Sequence, residues 1–329
     1  MPGTEFQTGP AVEFLLARGS LPVLFWLKKD VLDVPAEREY RNLCKFGRRM
    51  RILDTQRTDG SWHQERARRP IDGRADFLIQ TLKNCFHLYD YACPGDDEKV
   101  LKSMGYLLTS QTREGDFRAS AANEYSPGFH ALTLEILCKF GMSEDDRVRK
   151  GFRWLMAHRQ KDGGWAIPCR TIKRKAIERR YRAEAGNSEK PFQPVKSKPF
   201  SHFITGIVLR ALGQSQAWRT RREFRMAAEL ILGRFFRDDV YADRRSAAHW
   251  EELAYPFWST NVLSCLDTLS LAGFRADHPS IVRGLEWLAS RQNRDGYWAS
   301  TAPSASWDDH LWVTFAVLRV FKRFGIRAA

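Results

Sequence analysis

QKDGGW, at residues 160–165, is the stretch that decides the fold, because near-copies of it recur along the chain. QRTDGSW occupies residues 56–62, QNRDGYW occupies 292–298, and a weaker copy, QTREGDF, occupies 111–117. We call these four segments the repeat phrases. Self-similarity with a period of about 50 residues is typical of repeat architectures, so the same local structure is expected in every copy.

The residue types of the phrase suit a structural junction. Its Asp-Gly or Gly-Gly step makes a tight turn that needs a positive φ. Its glutamine carries both donors and acceptors, so it can tie the end of the preceding helix to the next loop. Its aromatic residue then covers the junction with a large apolar surface. We therefore predict that the glutamines and tryptophans of the phrases serve structure.

Each phrase lies between two segments with helical spacing of apolar residues. In residues 130–141 and 202–213, Thr133 matches Thr205 and each segment ends on a glycine, predicted to be the left-handed residue that stops the helix. Residues 235–241 stand where a fourth unit has lost its phrase. The units are predicted to begin near residues 40, 98, 146, 224 and 280.

Composition bounds the class of protein. The 329 residues contain no apolar run of the ~18 residues that span a bilayer, and we recognise no signal peptide. The six cysteines form no CxxC pair, which favours buried free thiols and a cytoplasmic location. The net charge of +14 indicates an anionic partner: a diphosphate, a lipid surface or nucleic acid.

Much of that charge lies in a basic insertion within the third repeat, at residues 169–199. Residues 172–185 are predicted to form a basic helix, and the prolines that follow keep the rest extended. The open alternatives are a lid, a diphosphate clamp, a contact with an anionic membrane surface that makes the protein peripheral to the membrane, or a solvated loop. Nucleic acid is disfavoured, because no aromatic-interleaved recognition motif accompanies the charge.

The repeat phrases resemble the QW motifs of the squalene–hopene cyclase and terpenoid cyclase superfamily, which is similar in fold to protein prenyltransferase β subunits. The more specific resemblance is to short bacterial squalene-cyclase-like proteins. It implies an all-α fold, an α/α toroid of helical hairpins whose inner helices line a cavity. We expect a single domain over residues 1–329, with residues 1–39 as an N-terminal helical extension.

Alignment on the shared threonines gives the candidate catalytic residues. Asp76 and Asp309 occupy equivalent places at the start of an inner helix, where a toroid presents side chains to the mouth of its cavity. A carboxylic acid held protonated in an apolar site can donate a proton to an alkene. The predicted catalytic residues are Asp309, the preferred acid, with Asp76, His310 and Asp308. The structural alternative is that these aspartates cap their own helices.

The equivalent ends of the other units supply candidate substrate contacts. Aromatic faces stabilise carbocations through their quadrupoles, and a histidine can act as base or anchor. The predicted substrate-binding residues are His130, His202, Phe129, Tyr255, Phe257, Trp258, Trp307 and Trp312. The alternative is that His130 and His202 are hydrogen-bonded interior histidines and that the aromatic residues are core.

Three family motifs are absent from the sequence. The acid motif Asp-x-Asp-Asp-Thr has only a weak look-alike at residues 307–310. The aspartate pairs at 96–97 and 145–146 lack the third acid of a magnesium motif and precede helices. The Asp-x-Cys pair of a prenyltransferase zinc site is missing, so no metal site is predicted, and magnesium is expected only if the substrate is a diphosphate.

Three functions stay open from the sequence. The first is a terpenoid cyclase-like enzyme that acts on an isoprenoid or polyprenyl substrate by acid-initiated cyclisation or prenyl transfer. The second is a non-catalytic toroid that binds a hydrophobic ligand or a protein partner. The third is a carbohydrate-active toroid, which requires two carboxylates about 5–10 Å apart.

Overall fold

The computed structural model describes residues 8–63, 73–119, 124–183, 190–241 and 245–326. Within these ranges the regular structure is helical, and the one pairing of extended backbone is an antiparallel bridge between Gln111 and Phe117. The α-helices are α1 (Gly9–Arg18), α2 (Leu21–Trp26), α3 (Glu37–Leu43), α4 (Gly47–Asp54), α5 (Gly73–Asp90), α6 (Glu98–Leu108), α7 (Pro127–Lys139), α8 (Asp146–Ala157), α9 (Arg174–Ala183), α10 (His202–Gln214), α11 (Gln216–Arg219), α12 (Arg222–Leu232), α13 (Val262–Leu271), α14 (Pro279–Ser290) and α15 (Trp307–Arg323). A π-helix spans Leu27–Leu32, and 3-10 turns span Pro168–Thr171 and Ala247–Glu251.

The helices alternate as the repeats predict. A first helix leads to each phrase and a second helix follows it, which gives the pairs α4/α5, α6/α7, α8/α10 and α14/α15. The unit without a phrase contains the pair α12/α13. The second helices are the more deeply buried, as α10 shows with eleven of its thirteen residues buried. The first helices are amphipathic and keep one polar face.

Helix ends follow local chemistry in most places. Asp97 and Asp145 are N-caps that accept backbone N–H groups at 2.9 and 2.8 Å, so the aspartate pairs at 96–97 and 145–146 lie at the starts of α6 and α8. Gly141 has a φ of +87° after α7, as predicted. The same prediction for Gly213 is wrong, because α10 continues to Gln214 and ends on Ser215 in an extended conformation.

The tryptophans of the three full phrases make the same two hydrogen bonds. Each backbone N–H donates to a threonine hydroxyl on the following second helix, and each indole N–H donates to a carbonyl at the end of the preceding first helix. The threonine bonds are Trp62 to Thr81 at 3.1 Å, Trp165 to Thr205 at 2.9 Å and Trp298 to Thr314 at 3.0 Å. The indole bonds reach Ile52 at 2.7 Å, Leu155 at 2.8 Å and Leu288 at 2.6 Å. The phrase therefore joins both helices of its repeat.

The phrase glutamines extend this junction to the next repeat. The Gln56 side-chain amide donates to the carbonyl of Gly60 in its own turn at 3.1 Å and to that of Lys99 on α6 at 2.8 Å. The Gln111 amide donates in the same way to Gly115 at 2.9 Å and to Arg147 on α8 at 2.7 Å. The predicted structural role of the phrases is thereby confirmed.

The fourth repeat keeps the tryptophan although it has lost the phrase. Trp250 is 1% exposed and its indole N–H donates to the carbonyl of Arg237 at 2.9 Å. Its ring lies 5.1 Å from that of Phe235, within the segment 235–241. Trp250 bonds to the segment that follows α12, thirteen residues upstream, whereas the phrase tryptophans bond to a carbonyl ten residues upstream in the first helix. This displacement hides Trp250 from a search for the phrase.

The chain divides into two compact units. One contains the described residues within 1–46, 228–239 and 243–329, and the other contains those within 47–227 and 240–242. In the first unit α15 packs against α1, α13 and the π-helix. In the second unit α5, α7 and α10 pack in succession, with α7 against α10 as the most extensive helix pair.

The basic insertion contains the predicted helix as α9, followed by an irregular strap at residues 190–199. The strap is fixed to its own unit, because the N–H of Val195 donates to the Thr171 hydroxyl at 2.9 Å and the Gln160 side chain donates to the carbonyls of Val195 and Lys198. The third phrase thus uses its glutamine to hold the insertion.

Candidate functional site

The first turn of α15 carries three of the four predicted catalytic residues. The Asp309 Oδ2 atom accepts from both the N–H and the hydroxyl of Ser306 at 2.7 Å, and the Ser306 hydroxyl accepts from the N–H of Asp309. This reciprocal pair is a capping box. One oxygen of the preferred acid therefore stabilises the helix start, which is the structural alternative raised from the sequence. Asp308 beside it is half-buried.

His310 completes this turn and has a defined tautomer. Its Nδ1 accepts from the N–H of Ser300 at 2.9 Å, so the neutral ring carries its proton on Nε2. The rings of Trp307 and Tyr297 lie 5.8 and 6.0 Å from the imidazole. Trp307 is 46% exposed, which places this cluster at the surface of its unit.

A second aromatic cluster lies further along α15. The rings of Tyr255 and Trp312 stack at 5.0 Å with an interplanar angle of 8°, and Phe257 meets Tyr255 edge-on at 5.1 Å. Trp312 and Phe257 are buried, whereas Trp258 is 36% exposed. The structure therefore brings together three of the predicted aromatic residues.

Asp76 has a partner that the sequence did not reveal. Its Oδ2 lies 3.5 Å from Nε2 of His63, and the two side chains are 17% and 43% exposed. That oxygen is buried and makes no hydrogen bond within the part of the chain that the structure describes. The imidazole also lies 4.7 Å from the ring of Phe77. His63 directly follows Trp62, and this position beside a repeat phrase is the one signal that could have identified it.

His130 is an interior residue with both ring nitrogens in hydrogen bonds. Its Nδ1 accepts from the N–H of Phe117 at 2.9 Å, so its Nε2 donates to the carbonyl of Gly151 at 3.0 Å. In the weak second phrase it thus replaces the threonine that serves the other copies. Burial lowers the pKa of His130 to about 4, so the ring is neutral at pH 7.

The other two candidates of this unit lie at or near helix starts. His202 begins α10 and is 2% exposed. Phe129 lies in the first turn of α7 and is half-buried. Asp76, His130, His202 and Phe129 belong to one compact unit, whereas Asp308, Asp309, His310 and the remaining aromatic candidates belong to the other.

Each unit also contains an ion pair between consecutive second helices, buried in one unit and half-buried in the other. Arg210 on α10 lies 3.2 Å from Glu135 on α7, with both side chains 3% exposed. Arg319 on α15 lies 2.8 Å from Asp267 on α13. The sequence contained a signal for these pairs, since Val-Leu-Arg occurs at both 208–210 and 317–319. Each arginine stands five residues after the aligned threonine of its own helix.

The described residues contain neither a metal-ligand cluster nor a candidate membrane span. No three of their histidine, cysteine, aspartate and glutamate side chains are grouped so that they could hold a metal ion. Over the same residues, no helix combines the length and the apolar character that crossing a bilayer requires.

Comparison with known proteins gives a relative in the predicted superfamily. The chain is similar to a squalene–hopene cyclase of Bradyrhizobium diazoefficiens, with 27% identity over 237 residues. That match covers 69% of this chain and 33% of the relative, so the match spans about a third of the curated cyclase's length. No family model matches the chain. The relative confirms that the chain is squalene-cyclase-like.

Solved structures show the fold. A polysaccharide lyase aligns over 98% of this chain and 90% of its own, with a TM-score of 0.51 and 10% identity. A type II terpene cyclase from Scytonema, solved with geranylgeranyl dihydroxybenzoate, aligns over 88% of this chain and 100% of its own at 12% identity, with a TM-score of 0.33. The lyase match and the helical hairpins confirm the predicted all-α, α/α-toroid fold class.

Proposed function

We propose that this protein is a terpenoid cyclase-like enzyme that protonates an isoprenoid alkene, with Asp76 as the acid and His63 as its partner. The observation that carries this assignment is the Asp76 Oδ2 atom, which is buried, makes no hydrogen bond within the described residues and lies 3.5 Å from an imidazole. A buried polar atom without a hydrogen bond requires an explanation, and a role of this carboxyl group as a proton donor would supply one. Asp309 fits this role less well, because its Oδ2 is committed to capping α15.

The reaction follows from ordinary acid catalysis. The Asp76 carboxylic acid transfers its proton to one alkene carbon, whose π electrons form the new C–H bond and leave a cation on the other carbon. Asp76 becomes a carboxylate, whose Oδ2 lies 3.5 Å from Nε2 of His63. A second alkene attacks the cation and closes a ring. Loss of a proton to water, or capture of water, ends the reaction without any other reactant.

Phe77 is proposed to stabilise the cations, because its ring lies 4.7 Å from the His63 imidazole beside Asp76. Ring faces attract positive charge by about 0.5–2 kcal/mol each. The similarity to squalene–hopene cyclase supports the reaction class, since that name describes a cyclase of an isoprenoid hydrocarbon.

The exposed basic side chains of α9 are proposed to contact an anionic membrane surface from the cytoplasm. Lys175 and Arg179 are exposed on this helix, and Arg174 is 92% exposed although it pairs with Glu178. Each such charge near an anionic membrane contributes about 1 kcal/mol of attraction. A substrate dissolved in the bilayer would then reach the enzyme directly.

The test is turnover with a matched set of variants. Purified protein is incubated with squalene and with prenyl diphosphates, with and without magnesium, and extracts are analysed by mass spectrometry. Asp76→Asn is expected to lower product formation by at least 100-fold, and His63→Gln by about tenfold. The control is Asp146→Asn, an exposed aspartate at the first residue of α8, which is expected to leave the rate unchanged.

Two outcomes would contradict the proposal. Full activity in Asp76→Asn together with its loss in Asp309→Asn would move the acid to α15. Absence of product from every substrate, in protein that still copurifies with a lipid, would refute the enzyme and favour the binding function.

A further inference from the structure

A cavity of about 440 Å³ lies beside the C-terminal half of α15, within one compact unit. Its walls come from α1, the π-helix, α15 and the residues that follow α15. The residues that line it are Thr8, Val12, Val31, Leu32, Leu318, Lys322, Gly325 and Ile326. None of them is among the candidate catalytic or substrate-binding residues.

The size and lining of the cavity suit a small apolar molecule. Since one water occupies about 30 Å³ of liquid, 440 Å³ corresponds to roughly fifteen heavy atoms. Five of the eight lining residues are valine, leucine or isoleucine. Ligand sites in proteins typically have about 300–1,000 Å³ and a mostly apolar lining with few polar groups. The cavity has the volume and the surface of such a site.

Lys322 is the one charged residue among the described residues that line the cavity. Its ammonium lies 2.6 Å from the carboxylate of Asp33 and donates to the carbonyl of Asp30 at 3.0 Å. An ammonium has three N–H donors, so one is left to bond a ligand oxygen. Because Asp33 already neutralises the charge, a hydroxyl fits this position better than a second carboxylate. Thr8 is 4% exposed, and its hydroxyl has no partner within the described residues.

The backbone beside the cavity contains one rare element. Val31 and Leu32 belong to the π-helix Leu27–Leu32, a conformation that is rare and often occurs at functional sites. Gly325, which is exposed and has a φ of +77°, is the left-handed residue that ends α15.

We propose that this cavity binds an apolar alcohol of about the size of a C15 isoprenoid, with its hydroxyl accepting from Lys322. The lining aliphatic side chains contact the hydrocarbon portion, and the third N–H of the ammonium fixes the head group. This site is separate from the proposed reaction and does not depend on it. The bound alcohol undergoes no reaction at this site.

The experiment compares two probes that differ only in the head group. Binding of farnesol and of the hydrocarbon farnesene to the full chain is measured by equilibrium dialysis with mass-spectrometric detection. Leu318→Trp, which fills the cavity, is expected to weaken binding of both probes by more than tenfold. Lys322→Met is expected to weaken farnesol by about tenfold, the worth of one hydrogen bond to a charged donor, and to leave farnesene unchanged.

Each contrary outcome is decisive. If wild-type protein binds neither probe, or if Leu318→Trp binds both as well as wild type does, the cavity is not a ligand site. If Lys322→Met weakened the binding of farnesol and farnesene equally, the assignment of Lys322 as the donor to the hydroxyl would be overturned. Circular dichroism confirms folding, and Val12→Phe replaces Leu318→Trp if the latter does not fold. Loss of turnover in Asp76→Asn with farnesol binding intact separates this site from the proposed reaction.

Discussion

The threonine that accepts the backbone N–H of a phrase tryptophan should contribute more to the free energy of unfolding than a threonine at the aligned position that accepts no such bond. Thr205→Val removes the acceptor of the Trp165 N–H, and both residues are almost fully buried, at 0% and 1% exposed. A buried donor left without a partner costs about 1–3 kcal/mol. The lost bond from the Thr205 hydroxyl to the carbonyl of Trp165 adds to this. We therefore expect a loss of about 2 kcal/mol of unfolding free energy.

Thr133 provides a matched control in the same compact unit. It is equally buried and stands at the aligned position, but the N–H of Phe117 bonds to His130 instead. Its own hydroxyl bonds only to the carbonyl of Phe129, one turn back in α7, so Thr133→Val should cost less than about 1 kcal/mol. Thr205→Ser, which keeps the hydroxyl, should restore most of the stability lost in Thr205→Val.

Urea unfolding, followed by tryptophan fluorescence and circular dichroism, measures these differences. With a slope of about 2–3 kcal/mol per molar urea, Thr205→Val should lower the midpoint by roughly 0.5–1 M. Equal losses in Thr205→Val and Thr133→Val would refute the reasoning, because burial alone would then explain both. So would a Thr205→Ser variant as unstable as Thr205→Val.

The remaining predictions concern His130 and two glycines. Burial lowers the pKa of His130 from 6.5 to about 4 in the folded protein, so the unfolded chain binds this proton more tightly, and the free energy of unfolding should fall by about 2 kcal/mol between pH 7 and pH 5. The urea midpoints at these two pH values should differ less in His130→Gln than in the wild type. An unchanged difference in that variant would contradict the assignment. Gly105→Ala, exposed in α6 with nothing near the added Cβ, should raise stability by about 0.5–1 kcal/mol. Gly151→Ala, whose Cβ would come within 2.9 Å of Leu134, should lower it, and thermal unfolding that gave the same sign for both variants would refute this contrast.

The sequence predicted the helical repeats and several of their boundaries. The predicted unit starts agree with the first helices from α6 onward within a few residues, because apolar spacing and capping aspartates such as Asp145 act locally. The structural role of the phrases also followed from residue type, since glutamine and tryptophan have few other uses beside a tight turn. Gly213 was misjudged, because only packing decides that α10 continues past it.

The candidate site could be predicted in part. Alignment on threonine placed Asp76 and Asp309 at equivalent helix starts, but it could not distinguish their surroundings. Asp309 is bonded to Ser306, three residues away, and this capping box was readable as the structural alternative. The partner of Asp76 was not readable, because His63 precedes it by thirteen residues in the sequence and no periodic pattern connects them.

What the sequence determined by itself is therefore the repeat, its helices and the chemistry of its junctions, all of which depend on residues close together in the chain or on a pattern that recurs. Tertiary structure alone decided that His130 replaces a threonine, that Trp250 replaces a lost phrase and that Asp76 faces His63. It also decided where a cavity remains between the π-helix and α15. These features depend on distances between segments remote in the chain, which the packing of side chains sets and local propensity does not.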